Sequence, residues 1–573
     1  MKRTCAEAVV DALEREGVQH LFVGPPGEHV VELYDALLNS KKIQGFLATN
    51  EYTLSFMADG YSRVTGKVGV FTSVPGPGMT NALTGITEAF LDSSPLVGIV
   101  SNVRARIEEV FQLHQMPMAE VLRPVVKKYF FISRPEEVPQ AMAEAFRMAQ
   151  SGEPGPVILE IPCDLYTTCG EMKEPVGHTE VPTINKERIQ EFAALIRVSK
   201  QCGLYIGRGC FFAGEEVRTL SEKLQMPVAS SISGRGILPE DHPLSVGFGF
   251  GSNGSKIAQE IFKQCDTVLA IGCKFAEVST GSYSFKIPKT LIHVDINPDN
   301  LNKIFKTDNT LVSDAKIFLQ VFLEELKDVN KEKNSELQEK IRKGKDEFLR
   351  ELLKTHGSED SLDLGKFYSF LRRNMQPQDT LTVDIGNHEL WAISCFEVFE
   401  KGTFLCPTNF SAMGFAVPSA IAAQIARPEH RAVCCVGDGG FLMSGFELLT
   451  AVRYKLPVIF FVFNDGALGI TKGLQQRFFR RSAFVDLLNP DFKSCAESFG
   501  MAYRKMASNS EIESVLKEAW TLEGPVLVEL QVNYDKMSPY LQGIVKHRLK
   551  VMPKKEILHI AARFAKRTIF GDF

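Results

Sequence analysis

Two aspartates stand at the ends of neighbouring apolar runs in the C-terminal third of the chain. Asp438 lies in the Gly-Asp-Gly-Gly turn 437–440, directly after the run 432–436, and Asp465 follows the run 458–463. A helical pattern connects the two runs, so a right-handed strand–helix–strand crossover places both carboxylates at one edge of a parallel sheet. Paired carboxylates favour a hard divalent cation, and the glycines let backbone N–H groups approach a phosphate. The segment therefore predicts a diphosphate held through Mg²⁺.

A third carboxylate, Glu51, begins a helical pattern directly after the short apolar run 45–48. The helix dipole favours a carboxylate in the first turn of a helix, so this position alone has a purely structural explanation. Its interpretation depends on the sequence that follows, which reads Glu-Tyr-Thr-Leu-Ser-Phe-Met-Ala-Asp-Gly-Tyr-Ser-Arg.

Three α/β segments must position these groups. We predict an N-terminal domain over 1–170, a central domain over 186–330 and a C-terminal domain over 361–537, each a doubly wound parallel sheet. A polar linker is predicted over 168–185, and a basic tail follows over 541–573. The fold class is thus α/β with three parallel-sheet domains.

The strands of these domains are predicted from short runs rich in apolar and β-branched residues, and the charged stretch 328–354 is predicted to be an exposed connecting helix. The predicted strands are 20–23, 45–48, 68–72, 96–100, 157–161, 203–206, 267–271, 290–294, 381–383, 432–436, 458–463 and 526–530.

Composition is that of an ordinary soluble protein, with 573 residues, 44% hydrophobic, 23% charged and a formal net charge of −4. This charge gives no indication of nucleic acid as a partner. The 12 cysteines contain no C-x-x-C pair, which favours reduced thiols in the cytoplasm over a disulfide framework or zinc site. No apolar h-region of a signal peptide and no run of 18 apolar residues occurs, so we expect no membrane span.

Taken together, these motifs resemble those of the thiamine-diphosphate-dependent enzymes. The Gly-Asp-Gly turn followed one crossover later by Asn-Asp is similar to their diphosphate motif, and Glu51 stands where the family has its catalytic glutamate. The loop 74–81, Val-Pro-Gly-Pro-Gly-Met-Thr-Asn, is similar to the family's loop on the pyrimidine side. The resemblance runs from about residue 24 to 533 and is closest to the acetolactate synthase, pyruvate oxidase and 2-oxo acid decarboxylase group. It names the three domains as pyrimidine-binding, central and diphosphate-binding.

The resemblance implies roles for individual residues. Glu51 would hydrogen-bond N1′ of the aminopyrimidine and so allow its 4′ nitrogen to take the C2 proton. Met413 would separate the two rings, with its N–H and the Ser411 carbonyl contacting the pyrimidine. The further residues that the resemblance implies for cofactor binding are Asn81, Gly386, Asn387, His388, Asp438, Gly439, Gly440 and Asp465. The implied metal ligands are the side chains of Asp438 and Asp465 and the main-chain carbonyl of Ala467.

The substrate-facing residues implied by the resemblance are Gly27, Glu28, His29, Phe111, Gln112, His114, Gln115, Ile470 and Leu474. The Phe111-Gln112 pair is similar to one found by the reaction centre of acetolactate synthase-like proteins, which favours carboligation. Leu474 occupies the position of a substrate-selecting Trp in the biosynthetic enzymes, which argues against a committed branched-chain enzyme. We therefore predict decarboxylation of a 2-oxo acid, with transfer of the acyl anion equivalent to a second carbonyl compound.

Three alternatives stay open at this point. The protein could be a simple 2-oxo acid decarboxylase, a flavin-dependent oxidase resembling pyruvate oxidase, or a family member without activity. The glycine-rich loop 247–254 stands where flavin-binding relatives have a glycine loop, so FAD is open but not assigned. The intact Glu51, Asp438 and Asp465 argue against an inactive scaffold.

The resemblance also implies an assembly. Glu51 lies in the first domain and the diphosphate ligands lie in the third, and relatives combine these groups across a dimer interface. A homodimer or homotetramer is therefore expected.

The tail 541–573 is rich in Lys and Arg, and Ile557, Ile560 and Phe564 share one face at helical spacing. A docked or solvated helix is the simplest interpretation of this pattern. A lid over the active site and a lipid-binding segment are the alternatives, and we expect no membrane binding.

Overall fold

The structure is a computed structural model that describes residues 2–107, 110–176, 184–354, 361–534, 536–553, 555, 558 and 562. The chain divides into two compact units. The first comprises the described parts of 1–182 together with 409–432 and 444–458, and the second comprises the described remainder.

Most strands are short and have a buried centre. In chain order they are β1 (Lys2–Thr4), β2 (His20–Val23), β3 (Gln44–Leu47), β4 (Gly69–Ser73), β5 (Leu96–Asn102), β6 (Lys128–Phe131), β7 (Pro156–Pro162), β8 (Cys169–Glu171), β9 (Cys202–Ile206), β10 (Val228–Ser230), β11 (Ser245–Phe248), β12 (Thr267–Ile271), β13 (Thr290–Asp295), β14 (Asn309–Val312), β15 (Thr380–Val383), β16 (Phe404–Leu405), β17 (Ala432–Gly437), β18 (Ile459–Asn464), β19 (Ala502–Met506) and β20 (Val526–Gln531).

The α-helices alternate with these strands. They are α1 (Cys5–Arg15), α2 (Val31–Leu38), α3 (Glu51–Thr65), α4 (Pro77–Leu91), α5 (Met118–Leu122), α6 (Val138–Gln150), α7 (Lys186–Val198), α8 (Gly214–Leu224), α9 (Lys256–Gln264), α10 (Ala315–Glu325), α11 (Ser335–Leu353), α12 (Leu364–Asn374), α13 (Asn387–Cys395), α14 (Ala416–Ala426), α15 (Asp438–Ser444), α16 (Leu448–Arg453), α17 (Gly469–Phe479), α18 (Phe492–Ser498), α19 (Ile512–Thr521) and α20 (Pro539–Val551). Short 3₁₀ helices lie at Arg123–Val125, Pro135–Glu137, Cys163–Leu165, Arg208–Cys210, Ile232–Gly234, Pro298–Asn300, Gly445–Glu447 and Asn509–Glu511.

The first unit is built on a six-stranded parallel sheet in the order β3-β2-β4-β5-β7-β6. Helices α1 and α6 bury apolar side chains, such as Leu13 and Phe146, against one cluster of the core. Helix α3 packs on α4 and α14, and Gly60 makes the second contact close: a Cβ there would lie 2.8 Å from Cα of Ser419. Two stretches of the C-terminal third of the sequence thus complete this unit.

The second unit contains two six-stranded parallel sheets. The central sheet has the order β11-β10-β9-β12-β13-β14, and the C-terminal sheet has the order β16-β15-β17-β18-β20-β19. The central strands β17 and β18 are continuous apolar runs, as expected for parallel strands covered on both faces. These three parallel sheets confirm the predicted α/β fold class, with one parallel sheet for each predicted domain.

Every strand predicted from the sequence is present within about two residues of its predicted bounds. Several strands were not predicted, among them β6, β14, β16 and β19, which lie next to or at the edges of their sheets. Strands β6, β14 and β19 expose part of their length at a sheet edge and so give no continuous apolar run, whereas β16 is only two residues long. The polar linker is partly wrong, because Cys169–Glu171 forms β8 and pairs with β1. Residues 177–183 lie outside the described residues.

The connecting helix follows its prediction. Helix α11 buries only Ile341 and Leu352. Helix α20 is docked within the second unit: the Tyr540 hydroxyl donates to the Val278 carbonyl at 2.7 Å, and a Cβ at Gly543 would meet the Ser252 carbonyl. The predicted amphipathic residues Ile557, Ile560 and Phe564 lie outside the described residues. No helix of the described part is long and apolar enough to cross a bilayer.

Candidate active site

Glu51 is the first residue of α3, and its side chain is almost completely buried at 7% exposure. The Asn50 side chain caps the helix by accepting from the Thr53 amide at 3.0 Å, which fixes where the helix begins. The Asn81 amide donates to Oε2 of Glu51 at 3.2 Å. A Cβ at Gly78 would lie 3.2 Å from Oε1 of Glu51, so this glycine in the first turn of α4 leaves room for the carboxylate. The structure thus brings together the two predicted residues Glu51 and Asn81.

A second buried carboxylate, Glu447, holds the start of α3. It is completely buried, and it accepts from the amide and hydroxyl of Thr49 and from the hydroxyl of Thr53. Thr450 donates a further hydroxyl from the same helix–turn segment. The donors from Thr49 and Thr53 flank Glu51 on both sides, so Glu447 fixes the backbone that carries the candidate catalytic carboxylate. The sequence did not single out Glu447, since its partners are far away along the chain.

The segment 409–415 also packs in the first unit. The Tyr52 hydroxyl, one residue after Glu51, donates to the main-chain carbonyl of Met413. Ser411 has a left-handed φ of 59°, and Gly414 has a φ of 82°, so the backbone turns sharply on either side of Met413. This places the predicted Ser411 and Met413 beside the residue that follows Glu51.

Two predicted substrate residues, His29 and His114, form a ring pair with centroids 5.1 Å apart. His29 is 2% exposed, and burial lowers its pKa below the ordinary value, so the imidazole is neutral at neutral pH. The Nδ1 atoms of both rings are buried and have no hydrogen-bond partner among the described residues. His114 also borders the pyrimidine-side loop, because a Cβ at Gly76 would lie 2.7 Å from its carbonyl oxygen.

The other predicted residues of this group are arranged differently. Phe111 is fully exposed. The Gln112 side chain donates to the carbonyls of Arg104 and Ile107, so it braces its own loop. Glu28 is half exposed and lies 3.7 Å from Arg104. The structure therefore brings His29 and His114 together, whereas Phe111 and Gln112 do not join them.

In the second unit, Asp438 begins α15 directly at the end of β17. Its Oδ1 accepts from the Gly439 amide at 2.9 Å, and its Oδ2 accepts from the Gly466 amide at 2.8 Å. The predicted single helix after the turn is divided into α15, a 3₁₀ turn and α16. Because β17 pairs with β18 in parallel, Asp438 and Asp465 follow neighbouring strand ends, as the spacing predicts.

Asp465 shares its surroundings with Asp438 and Asn387. Burial, followed by the charge of Asp438, raises the pKa of Asp465 to about 7. A Cβ at Gly469 would lie 2.5 Å from Oδ2 of Asp465 and 3.0 Å from Nδ2 of Asn387. Ala467 is buried in the same turn. The two carboxylates repel one another in this arrangement, and a divalent cation would offset that repulsion.

The loop after β15 completes this cluster. His388 is 3% exposed, its ring stacks on Phe463 with centroids 5.0 Å apart, and burial lowers its pKa to about 3. Cβ atoms at Gly386 or Gly437 would lie 2.4 Å and 3.0 Å from its ring, so both glycines make space for the imidazole. Its Nε2 has no partner among the described residues. A neutral ring with an unsatisfied nitrogen fits the predicted role of a diphosphate ligand.

These residues fit a diphosphate held through Mg²⁺. The donor set consists of oxygens from two carboxylates and a main-chain carbonyl, which suits a hard cation that keeps phosphate oxygens and water in its remaining positions. The described residues contain no group of three or more His, Cys, Asp or Glu that could bind a metal without such additional ligands.

Asn489 is a member of this cluster that the sequence did not reveal. Its side-chain amide donates to Oδ2 of Asp438 at 2.8 Å and to Oδ1 of Asn464 at 3.0 Å. It lies in the loop before α18, far along the chain from both aspartates. An isolated Asn in a polar loop carries no signal in a single sequence. Together with the amides of Gly439 and Gly466, the Asn489 side chain thus orients the Asp438 carboxylate.

We expect the Asn489→Leu variant to bind Mg²⁺ and thiamine diphosphate about 10- to 100-fold more weakly, because partners of metal-ligating carboxylates typically contribute that much. Titration calorimetry of the apoprotein measures this affinity directly. The matched control is Asn330→Leu, which alters an exposed side chain. An affinity equal to that of the control would remove Asn489 from the site.

In the glycine-rich loop 247–254, several backbone amides donate to acceptors within the same chain. Its amides at Gly249, Ser252 and Gly254 donate to the Ser230 carbonyl, the Ser284 hydroxyl and the Gly251 carbonyl. Phe250 stacks on Phe262 with centroids 4.2 Å apart. These donors are satisfied within the protein, so the loop does not present them to a phosphate group.

Comparison with known proteins adds to this geometry. Three family models match the chain: the N-terminal TPP binding domain of thiamine pyrophosphate enzymes over 3–123, their central domain over 189–322, and their C-terminal TPP binding domain over 384–530. The chain belongs to the thiamine pyrophosphate enzymes. Each match falls inside one of the three segments predicted from the sequence. Glu51, Asp438 and Asp465 therefore lie in the domains that bind the cofactor in this family.

Individual relatives of this thiamine pyrophosphate enzyme are similar over nearly their whole length. The probable acetolactate synthase large subunit of Methanocaldococcus jannaschii is 32% identical over 559 residues, covering 92% of each chain. The acetolactate synthase large subunit of Haemophilus influenzae is 32% identical over 551 residues, covering 93% of this chain and 95% of the relative. Acetolactate synthase isozyme 1 large subunit of Escherichia coli is 30% identical over 536 residues.

Proposed function

We propose that this thiamine pyrophosphate enzyme is an acetolactate synthase-like carboligase. It decarboxylates a 2-oxo acid and transfers the acyl anion equivalent to a second carbonyl compound. The observation that carries the proposal is the buried Glu51 carboxylate at the start of α3, with Asn81 and Gly78 of α4 against it. Similarity to acetolactate synthase large subunits across both chains supports carboligation over other outcomes.

The bound cofactor supplies a carbon acid at C2 and an electron sink for the decarboxylation. Glu51 holds the proton at N1′ of the aminopyrimidine through its carboxylate. The Ser411 carbonyl and the Met413 amide orient the same ring, and the Met413 side chain keeps the two rings of the cofactor apart. Burial of Glu51 excludes water from its carboxylate, which strengthens this interaction.

The diphosphate is assigned to the residues at the carboxyl ends of β15, β17 and β18. Asp438, Asp465 and the Ala467 carbonyl would bind Mg²⁺. The groups that would contact phosphate oxygens are those of Gly386, Asn387, His388, Gly439 and Gly440. The unsatisfied Nε2 of His388 and the mutual repulsion of the two aspartates support this assignment.

For the substrate, the His29–His114 pair is the strongest part of the proposed pocket. The neutral imidazole of His29 offers one donor and one acceptor, and both His29 and His114 have a buried Nδ1 without a partner among the described residues. Such nitrogens can hydrogen-bond the carboxylate or carbonyl oxygen of a 2-oxo acid. Gly27, Glu28, Gln115, Ile470 and Leu474 stay proposed pocket residues, as do Phe111 and Gln112 in a different conformation of their loop.

The stoichiometry of the reaction tests the proposal. With pyruvate and other small 2-oxo acids, carboligation of two identical molecules releases one CO₂ for every two molecules consumed. Simple decarboxylation releases one CO₂ for each molecule and yields an aldehyde. We expect the first ratio together with a 2-hydroxy-2-alkyl-3-oxo acid product. Equal amounts of CO₂ and aldehyde would show a decarboxylase instead.

An oxidase would in addition reduce an electron acceptor and carry a flavin. We do not assign FAD, because three amides of the loop 247–254, those of Gly249, Ser252 and Gly254, already donate within the protein. The absorption spectrum of the purified protein should accordingly lack flavin bands. A stoichiometric flavin spectrum together with reduction of an added electron acceptor during turnover would favour the oxidase alternative.

We propose a homodimer as the smallest active assembly, with a homotetramer as the larger form, because the catalytic carboxylate and the diphosphate ligands belong to different domains. Light scattering of the purified protein determines the assembly. The cytoplasm is the proposed compartment, since all 12 cysteines are described and none forms a disulfide.

A further inference from the structure

A buried ionic cluster lies between α3 and α4 in the first unit. It consists of Asp59, Arg63, Glu88 and Asp92, which we call the Arg63 cluster, and each member is at most 5% exposed. The Arg63 guanidinium donates to both oxygens of Asp59 and to Oδ2 of Asp92, at 2.7 to 3.0 Å. Oε1 of Glu88 is farther away, at 3.7 Å from the guanidinium.

The cluster holds three acids against one arginine, so a proton on one acid lowers its uncompensated negative charge from two to one. Three ionised carboxylates beside one arginine would leave two uncompensated negative charges in the interior, which is very unfavourable. Glu88 makes the weakest contact with Arg63, and burial together with the charge of Asp92 raises its pKa to about 9. Glu88 is therefore the neutral member. Its Oε1 has no hydrogen-bond partner among the described residues.

The cluster also contacts three residues of the segment 409–415, through hydrogen bonds to two of them and a cation–ring contact to the third. The amide of Asn409 donates to Oδ1 of Asp92 at 3.0 Å, as does its side-chain amide at 2.5 Å. The amide of Ala412 donates to Oε2 of Glu88 at 3.1 Å. The guanidinium of Arg63 lies 4.8 Å from the ring centroid of Phe415. The contacts therefore lie on both sides of Ser411 and Met413.

We propose that the Arg63 cluster is a positioning site, which holds Asn409 and Ala412 so that the Ser411 carbonyl and the Met413 side chain face the aminopyrimidine of the cofactor. The left-handed φ of Ser411 supports this role, because a strained residue persists only where its neighbours hold it. The inference rests on the proposed roles of Ser411 and Met413.

Two substitutions of Glu88 separate these roles. Glu88→Gln keeps a neutral acceptor for the Ala412 amide, whereas Glu88→Leu removes the acceptor at similar volume. In the apoprotein, we expect amide hydrogen exchange of the peptide covering 409–415 to accelerate about 10- to 100-fold in the Leu variant, the change that losing one buried hydrogen bond produces. The Gln variant should exchange like the wild type. Glu120→Leu, on an exposed side chain, is the matched control.

A second measurement follows the cofactor. At saturating thiamine diphosphate and Mg²⁺, hydrogen–deuterium exchange at C2 should slow at least about tenfold in the Leu variant and recover in the Gln variant. Mg²⁺-dependent affinity for inorganic diphosphate should stay unchanged in both, since its proposed ligands lie elsewhere. Unchanged exchange of 409–415 in the Leu variant, or equal losses in both variants, would overturn the positioning role.

If the Leu variant does not fold, Asn409→Ala provides the same test. The Asn409 side chain is exposed and uncharged, so its removal should not prevent folding, and it takes away one donor to Asp92. It should accelerate exchange of the same peptide, and wild-type exchange would contradict the inference. The exchange measurement on the apoprotein needs no turnover. It can therefore contradict the positioning role even if carboligation is demonstrated, and it can support that role even if the proposed substrate is wrong.

Discussion

The Glu51→Gln variant should lose turnover by about 10²- to 10⁴-fold while keeping its fold, the range typical of general acid–base groups. The amide nearly matches the carboxylate in volume, and it can still accept from Asn81. It cannot supply the negative charge that stabilises a proton at N1′ of the aminopyrimidine. The rate of C2 hydrogen–deuterium exchange of the bound cofactor, measured by NMR after acid quench, should fall by a similar factor.

Binding and chemistry can be separated in this variant. Affinity for thiamine diphosphate should change far less than exchange, because the proposed diphosphate and metal ligands are intact. Glu513→Gln, which alters an exposed carboxylate on α19, is the matched control and should exchange at the wild-type rate. C2 exchange of the Glu51→Gln variant within a few-fold of that control would remove Glu51 from the mechanism.

The second large effect is expected for Asp438→Ala, which should weaken Mg²⁺-dependent binding of thiamine diphosphate at least about 100-fold. The substitution removes one of two anionic ligands and leaves the amides of Gly439 and Gly466 and the side chain of Asn489 without their common acceptor. Calorimetry with Mg²⁺ and thiamine diphosphate measures the loss, and the apoprotein should keep its secondary structure by circular dichroism.

A control for this variant is Asp328→Ala, which removes an aspartate whose side chain is 68% exposed. We expect that protein to bind the cofactor like the wild type. Undiminished affinity in the Asp438→Ala variant would refute the metal assignment. An equal loss of affinity with and without Mg²⁺ would show that Asp438 contacts the diphosphate by another route.

Much of the site was predictable because its residues are local to strand ends. Parallel strands place their carboxyl ends at one edge, so a turn after β17 and another after β18 must meet. The parallel pairing of β17 with β18 and the placement of the two aspartates followed from this rule and from continuous apolar runs. Glu51 was found in the same way, at the start of a helix that follows a strand.

The rest depends on contacts between positions far apart in the chain, for which a single sequence gives no signal. Glu447 binds Thr49 and Thr53, and Asn489 binds Asp438, although nothing in their immediate neighbours marks them. The Arg63 cluster was equally hidden, since Asp59 and Arg63 look like an ordinary i, i+4 pair on a helix. Their burial and their further partners are visible only in three dimensions.

The first unit combines the N-terminal region with two stretches from the C-terminal third of the sequence, which affects how it folds during synthesis. Helix α3 packs on α14, and Glu447 secures the start of α3, yet both belong to the stretches 409–432 and 444–458. Contacts of such large sequence separation form slowly, and chains emerge from the ribosome N-terminus first. Helix α3 therefore waits through synthesis of the whole central domain without the segments that pack on it. An isolated N-terminal fragment lacks these segments, so we expect it to be less stable than the first unit of the full chain.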